Sequence, residues 1–295
     1  MAELVSITSG KLTARINLLG AELWSVTDAD GREYMTDADP AFWTGHAPIL
    51  FPIVGELAGG TYRYEGKNYA LPRHGFARRS RFLLVEHADG TARFRLTDSA
   101  DTRAAYPFAF ALELCFRLHD TRLEIVAEVT NLGPEPLPFS LGFHPGFAWP
   151  LPGGGDKLKH TIVFAEEEPN DIRLLDGDGL VADRAPSPVQ GRTLKLSPDL
   201  FRRDALVWDR LQSRGVEYRG EQGSPILRVA FPDTPHLGIW QKPGANYVCI
   251  EPWQGHADPA GFDGELREKP GIVILPPGEV RRFRVEVTID PPSGV

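Results

Sequence analysis

Apolar and polar residues alternate with period two along several stretches of this chain, and that pattern constrains the fold more than any other feature. Leu12, Ala14, Ile16 and Leu18 alternate with Thr13, Arg15 and Asn17, and Leu112, Leu114, Phe116 and Leu118 alternate with Glu113, Cys115 and Arg117. Successive side chains of a strand point to opposite faces, so each run reads as a strand with one buried face. The pattern recurs over 123–130 and 282–289. In the second of these Phe283, Val285, Val287 and Ile289 face one way and Arg282, Arg284, Glu286 and Thr288 the other.

Turn residues punctuate these runs at short intervals. Ala58 to Gly60 and Glu65 to Gly66 flank a strand carrying Tyr62 and Tyr64, Asn131 to Pro134 follow another strand, and Pro276 to Gly278 precede the last. With 30 Gly and 26 Pro in 295 residues, long helices have little room. The chain shows neither an extended apolar stripe at helical spacing nor strand–helix alternation with a glycine-rich phosphate loop, which argues against a doubly wound sheet. The expected fold is all-β, a large antiparallel β-sandwich with few short helices. The glycines at 153–155 and the stretch 176–198 read as loops, but neither marks a shift in composition. Residues 1–295 are therefore expected to form a single domain.

Composition narrows the function. A hydrophobic content of 42% and a charged content of 24% are ordinary for a soluble globular protein. A formal net charge of −8 argues against nucleic acid or a membrane surface as partner, since both attract basic proteins. A small molecule, neutral or modestly charged, suits the chain better. The N-terminal residues lack a basic start followed by an apolar core, and no apolar run approaches the roughly 20 residues needed to span a bilayer, so a cytoplasmic protein is expected. Cys115 and Cys249 are too few for a disulfide framework and lie in strand-like runs, where buried free thiols are the expectation.

Three segments carry candidate chemistry. Glu251 ends an apolar run and precedes Pro252 and Trp253. A carboxylate there must be paired or face a cavity, because an unpaired buried charge costs several kcal/mol. His144 is flanked by Phe143 and Pro145, a setting that desolvates the ring and fixes the direction of its proton, although a packed core histidine has the same surroundings. His74 sits among Arg73, Arg78, Arg79 and Arg81, which read either as a solvated basic loop or as a rim that clamps hydroxyls or a phosphate. Two imidazoles and one carboxylate make an acid/base set. Trp253 offers a face for a sugar ring or simply core packing. Asp204 is an ordinary strand-edge aspartate or a hydroxyl acceptor. His46 and His256, in aromatic and glycine-rich surroundings, are expected to line the pocket without taking part in the chemistry. No two of these residues have the short regular spacing of a metal motif, so no metal is expected.

Taken in order, these segments resemble the aldose 1-epimerase, or galactose mutarotase, family and its compact bacterial branch. The resemblance runs over nearly the whole chain: Gly20 to Leu23, Ala47 to Gly55, the hairpin 61–69, Arg73 to Arg78, Gly142 to Gly146, Asp204 to Trp208, Cys249 to Trp253, and Pro277 to Glu279. It implies a galactose mutarotase-like supersandwich that interconverts the α and β anomers of free hexoses without a required cofactor; a monomer or homodimer is expected. By the same resemblance Glu251 is the general base at the anomeric hydroxyl and His144 the acid at the ring oxygen. His74 hydrogen-bonds the sugar, and Asp204 fixes another hydroxyl. One departure stands out: Glu56 occupies a position where relatives commonly carry an arginine, and Arg73 or Arg78 would have to supply that cation. An epimerase of a hexose 6-phosphate, served by the arginine cluster, and a non-catalytic carbohydrate-binding sandwich are the alternatives.

Overall fold

The computed structural model describes residues 2–291. Two large antiparallel sheets dominate it. One has nine strands in the order Thr193–Lys195, Thr161–Phe164, Gly215–Arg219, Ile226–Ala230, Val280–Asp290, Arg122–Asn131, Phe110–His119, Thr91–Thr97 and Leu83–Ala88. The other runs Val181–Ala185, Ile172–Leu175, Leu206–Trp208, His236–Trp240, Tyr247–Gln254, Leu141–Phe143 and Ile49–Leu50, with Gly146–Ala148 also pairing along Tyr247–Gln254. Smaller sheets flank them, among them the three-stranded unit Leu4–Thr8, Leu12–Asn17 and Glu22–Asp28. Among the described residues the sole α-helix is Ala100–Ala105, and no helix is long and apolar enough to cross a membrane.

The alternation read from the sequence explains how the two sheets meet. Leu112, Leu114 and Phe116 of one central strand and Phe283, Val285, Val287 and Ile289 of another turn to the same side. There they join Leu237, Ile239, Val248 and Ile250 of the second sheet in one buried apolar cluster. This shared layer is the core of a β-sandwich. Both cysteines are buried free thiols.

The opposite face of the second sheet is of a different kind. Along Tyr247–Gln254, Val248 and Ile250 enter the core, so Cys249, Glu251 and Trp253 point the other way. Register extends this face sideways: Trp240 lies opposite Cys249, Gly238 opposite Glu251 and His236 opposite Trp253, and Val207 lies opposite Gly238. On the other flank Gly142 pairs with Trp253 and Gly146 with Cys249. The glycines are required by close approach. A Cβ on Gly238 would lie 2.4 Å from the Trp253 indole, and one on Gly142 2.7 Å from it.

Two sequence expectations need correction. Leu12–Asn17 stops before Leu18, and its register against the next strand shifts between Arg15 and Ile16. The extra residue, Trp24, lies in the partner strand, and Asn17 is buried and accepts a hydrogen bond from the Leu19 amide. The stretch 176–198 is not all loop, because it holds the strands Val181–Ala185 and Thr193–Lys195. Both are short edge strands, too brief for alternation to show.

Adding a methyl group at Gly238 must displace the Trp253 ring, so Gly238→Ala is expected to lower stability by about 1–3 kcal/mol in chemical denaturation. Gly177→Ala, where an added Cβ meets nothing within 4 Å, is expected to leave the midpoint nearly unchanged.

Candidate active site

The site face of the second sheet floors a cleft of about 200 Å³. Glu251, His144, His74, Arg73, Arg78, Asp204 and Trp253 all line it, together with Trp43, Trp240 and His256. Leu175, Val181, Ala205, Val207 and Ala257 pack with Trp253 as its apolar wall.

Glu251 and His144 meet because of strand register. Leu141 and Gly142 pair with Gln254 and Trp253, and after a three-residue break Gly146 pairs with Cys249 in the same register. His144 occupies that break directly across from Glu251, where cross-strand side chains are near neighbours. The Ile250 amide donates to the Pro145 carbonyl at 3.2 Å and holds the break closed. The His144 Nε2 lies 3.1 Å from Glu251 Oε2. Trp43 stacks on the His144 ring at 5.0 Å between centroids, and Trp240 meets it edge-on at 5.9 Å.

Burial sets the electrostatics of this pair. Glu251 is 1% exposed, and desolvation pushes its carboxyl well above the usual carboxylate range. The Arg73 guanidinium opposes that shift and Asp204 adds to it. Desolvation acts on His144 in the opposite sense and lowers its pKa to about 3, with Arg78 and Arg73 contributing in the same direction. Both shifts have one origin, since a low-dielectric site disfavours the charged form of each group. Neither Glu251 Oε2 nor the Trp253 indole nitrogen has a hydrogen-bond partner among the described residues.

His74 is fixed by its backbone. It adopts φ +66°, its amide donates to the Gly55 carbonyl at 2.9 Å, and the Gly55 amide donates to His74 Nδ1 at 3.1 Å. With Nδ1 accepting, the proton of the neutral ring sits on Nε2. The ring stands nearly perpendicular to that of His144, 5.8 Å away, and burial depresses its pKa well below the ordinary histidine value.

Asp204 also has a left-handed backbone, φ +68°, and its carboxylate lies 3.8 Å from the Arg73 guanidinium at the half-open rim. Arg78 donates to the Arg73 carbonyl at 2.9 Å. Arg79 and Arg81 do not line the cleft, and Arg81 pairs with Glu3 at the surface. The four-arginine rim expected from sequence is thus two arginines. Glu56 turns its carboxylate to the Leu57 amide, while Arg73 and Arg78 bring cations to the cleft.

His46, expected to line the pocket, does not. Its ring stacks on Trp24 of the three-stranded unit at 3.8 Å, and its amide donates to Glu22. His256 does line the cleft, with Nδ1 2.7 Å from the Ala257 carbonyl, so that nitrogen carries the proton and Nε2 is left as an acceptor. Sequence reasoning missed Trp43 and Trp240, which enclose His144, and Gly55, which orients His74. The one available signal was Trp43 in the same aromatic segment as His46.

The family model described as aldose 1-epimerase matches residues 3–288. Protein LacX (chromosomal) of Lactococcus lactis subsp. lactis is 32% identical over 295 residues, covering 97% of this chain and 99% of that protein. A solved galactose mutarotase related enzyme from Lactobacillus acidophilus is 34% identical with a TM-score of 0.91, and the match covers 99% of both chains. A solved galactose mutarotase-like protein from Lactobacillus casei is 28% identical with a TM-score of 0.90, covering 97% of this chain and all of that one. In sequence along its length and in fold, this chain belongs to the aldose 1-epimerase family.

Proposed function

We propose that the protein is an aldose 1-epimerase that interconverts the α and β anomers of a free hexose. The observation carrying this reading is the buried His144–Glu251 pair, 3.1 Å apart on the wall of a cleft. The anomeric carbon bears both the ring oxygen and the anomeric hydroxyl, so exchanging anomers requires one proton removed and one supplied at neighbouring oxygens.

In this reading Glu251 takes the proton of the anomeric hydroxyl, and that O–H electron pair forms the C1 carbonyl. The bond from C1 to the ring oxygen breaks, its electrons stay on the oxygen, and His144 protonates it. The open aldehyde turns about C1–C2, and the reverse steps close the ring on the other face of C1. The pair holds one proton throughout, on His144 while the ring is closed and on Glu251 while it is open. Burial favours the neutral form of both residues, so the charged distribution that starts ring opening carries a desolvation cost, which transfer of the proton to Glu251 then releases. The His74 Nε2–H donates to a sugar oxygen, Arg73 and Asp204 hold hydroxyls, and Trp253 supports the ring.

A protein that only binds sugar has no need of a buried carboxyl lacking a full partner, since such a group costs stability. The presence of two guanidinium groups at the cleft supports the second reading, a hexose 6-phosphate as substrate. A kcat/KM higher for glucose 6-phosphate than for glucose or galactose would move the assignment there.

Polarimetry of freshly dissolved α-D-glucose and α-D-galactose tests the main reading. Wild type is expected to speed equilibration, and Glu251→Gln to lower kcat by about 10²–10⁴ with unchanged circular dichroism. Near wild-type turnover in that variant would overturn it. Arg73→Ala is expected to raise KM more than it lowers kcat.

The pH profile follows from the same pair. A second proton reaches it only as pH falls toward the His144 value of about 3. The kcat/KM is therefore expected to show no acid limb near about 6.5, where an ordinary imidazole base would give one, and to fall as pH rises through the raised Glu251 value and the pair loses its one proton.

A further inference from the structure

Cys249 has no part in the ring-opening chemistry, yet strand alternation places it on the site face beside Glu251. We propose that His144, Cys249 and Glu251 form a binding site for a thiophilic divalent cation of the zinc type at the back of the cleft.

The three residues are buried, and one ligand atom from each lies within 4.8 Å of the other two. Histidine nitrogen and glutamate oxygen are already 3.1 Å apart. Around a tetrahedral zinc ion, metal–nitrogen and metal–oxygen distances of about 2.0–2.2 Å and a metal–sulfur distance of about 2.3 Å leave ligand atoms about 3.4–3.8 Å apart. The Cys249 sulfur therefore moves inward by about 1 Å, and the other two atoms hardly move. Glu251 Oε2, without a hydrogen-bond partner among the described residues, is free to ligate. Three protein ligands and a fourth position facing the cleft reproduce the open type of zinc site.

The donor set selects the ion. Magnesium and calcium require oxygen ligands, whereas one thiolate, one imidazole and one carboxylate suit zinc and its neighbours. As the metal–sulfur bond forms, the thiol proton leaves to solvent. Trp43 and Trp240 already hold the His144 ring from two sides, so its orientation rests on packing. An occupied site engages both groups of the proposed proton transfer, so the cation acts as an inhibitor. That consequence rests on the proposed activity, whereas the binding itself does not.

Cobalt(II) is the probe, added to the full-length protein in a non-thiol reductant and read by absorption. Wild type is expected to give a thiolate-to-cobalt charge-transfer band saturating at one equivalent, with the visible bands of tetrahedral cobalt. Cys115→Ser is expected to keep both, because Cys115 lies in the other sheet next to Arg93 and Arg117. Cys249→Ser is expected to lose the charge-transfer band. His144→Asn, which keeps the thiol, is expected to weaken binding by more than about tenfold, the low end of what even outer-shell changes cost. No charge-transfer band in wild type at saturating cobalt, or a band surviving in Cys249→Ser, would overturn the proposal, whatever the protein does to sugars.

Discussion

The antiparallel register along Tyr247–Gln254 is the constraint on which the site depends. One face of this strand completes the sandwich core through Val248 and Ile250, and the other carries Cys249, Glu251 and Trp253. A slip of one residue would send the carboxyl into the core and Ile250 into the cleft, so the packing that stabilises the fold also fixes where Glu251 points. The two short strands on either side of His144 pair with this one strand in a single register, which leaves the imidazole nowhere to go but opposite Glu251.

The arrangement is costly by itself. A buried carboxyl without a full hydrogen-bond partner opposes folding by several kcal/mol, and His144 and His74 add two desolvated imidazoles. What offsets this is the continuous apolar layer beneath, together with the aromatic enclosure of Trp43, Trp240 and Trp253 above. The same enclosure reverses the ordinary order of the Glu251 and His144 pKa values, so the cost in stability and the tuning of the pair have one physical cause.

Much of the architecture was legible because period two survives in the central strands: Leu112 to Leu118 and Phe283 to Ile289 are buried where alternation puts them. Edge strands such as Val181–Ala185 were not legible, since four or five residues at a rim bury too little to show a period. Glu251, His144 and His74 stood out because each sits among apolar or glycine-rich neighbours. Their meeting could not be read, because it depends on register between segments about a hundred residues apart. His46 had the same local signature as His144 and faces Trp24 instead, which shows that local composition marks a desolvated ring without saying which cavity it meets. Apart from Trp43, which shares an aromatic segment with His46, the residues around His144 and the glycines that admit Trp253 carried no sequence signal of their role.

The central claim is that Glu251 and His144 work as one proton-transferring unit on a sugar. A double-mutant cycle tests it most directly: anomer-exchange rates for wild type, Glu251→Gln, His144→Asn and the double variant, corrected for the spontaneous reaction. If the two residues act as a unit, the double variant is no slower than the slower single variant. Losses that multiply, or a single variant that retains wild-type exchange, would contradict the account.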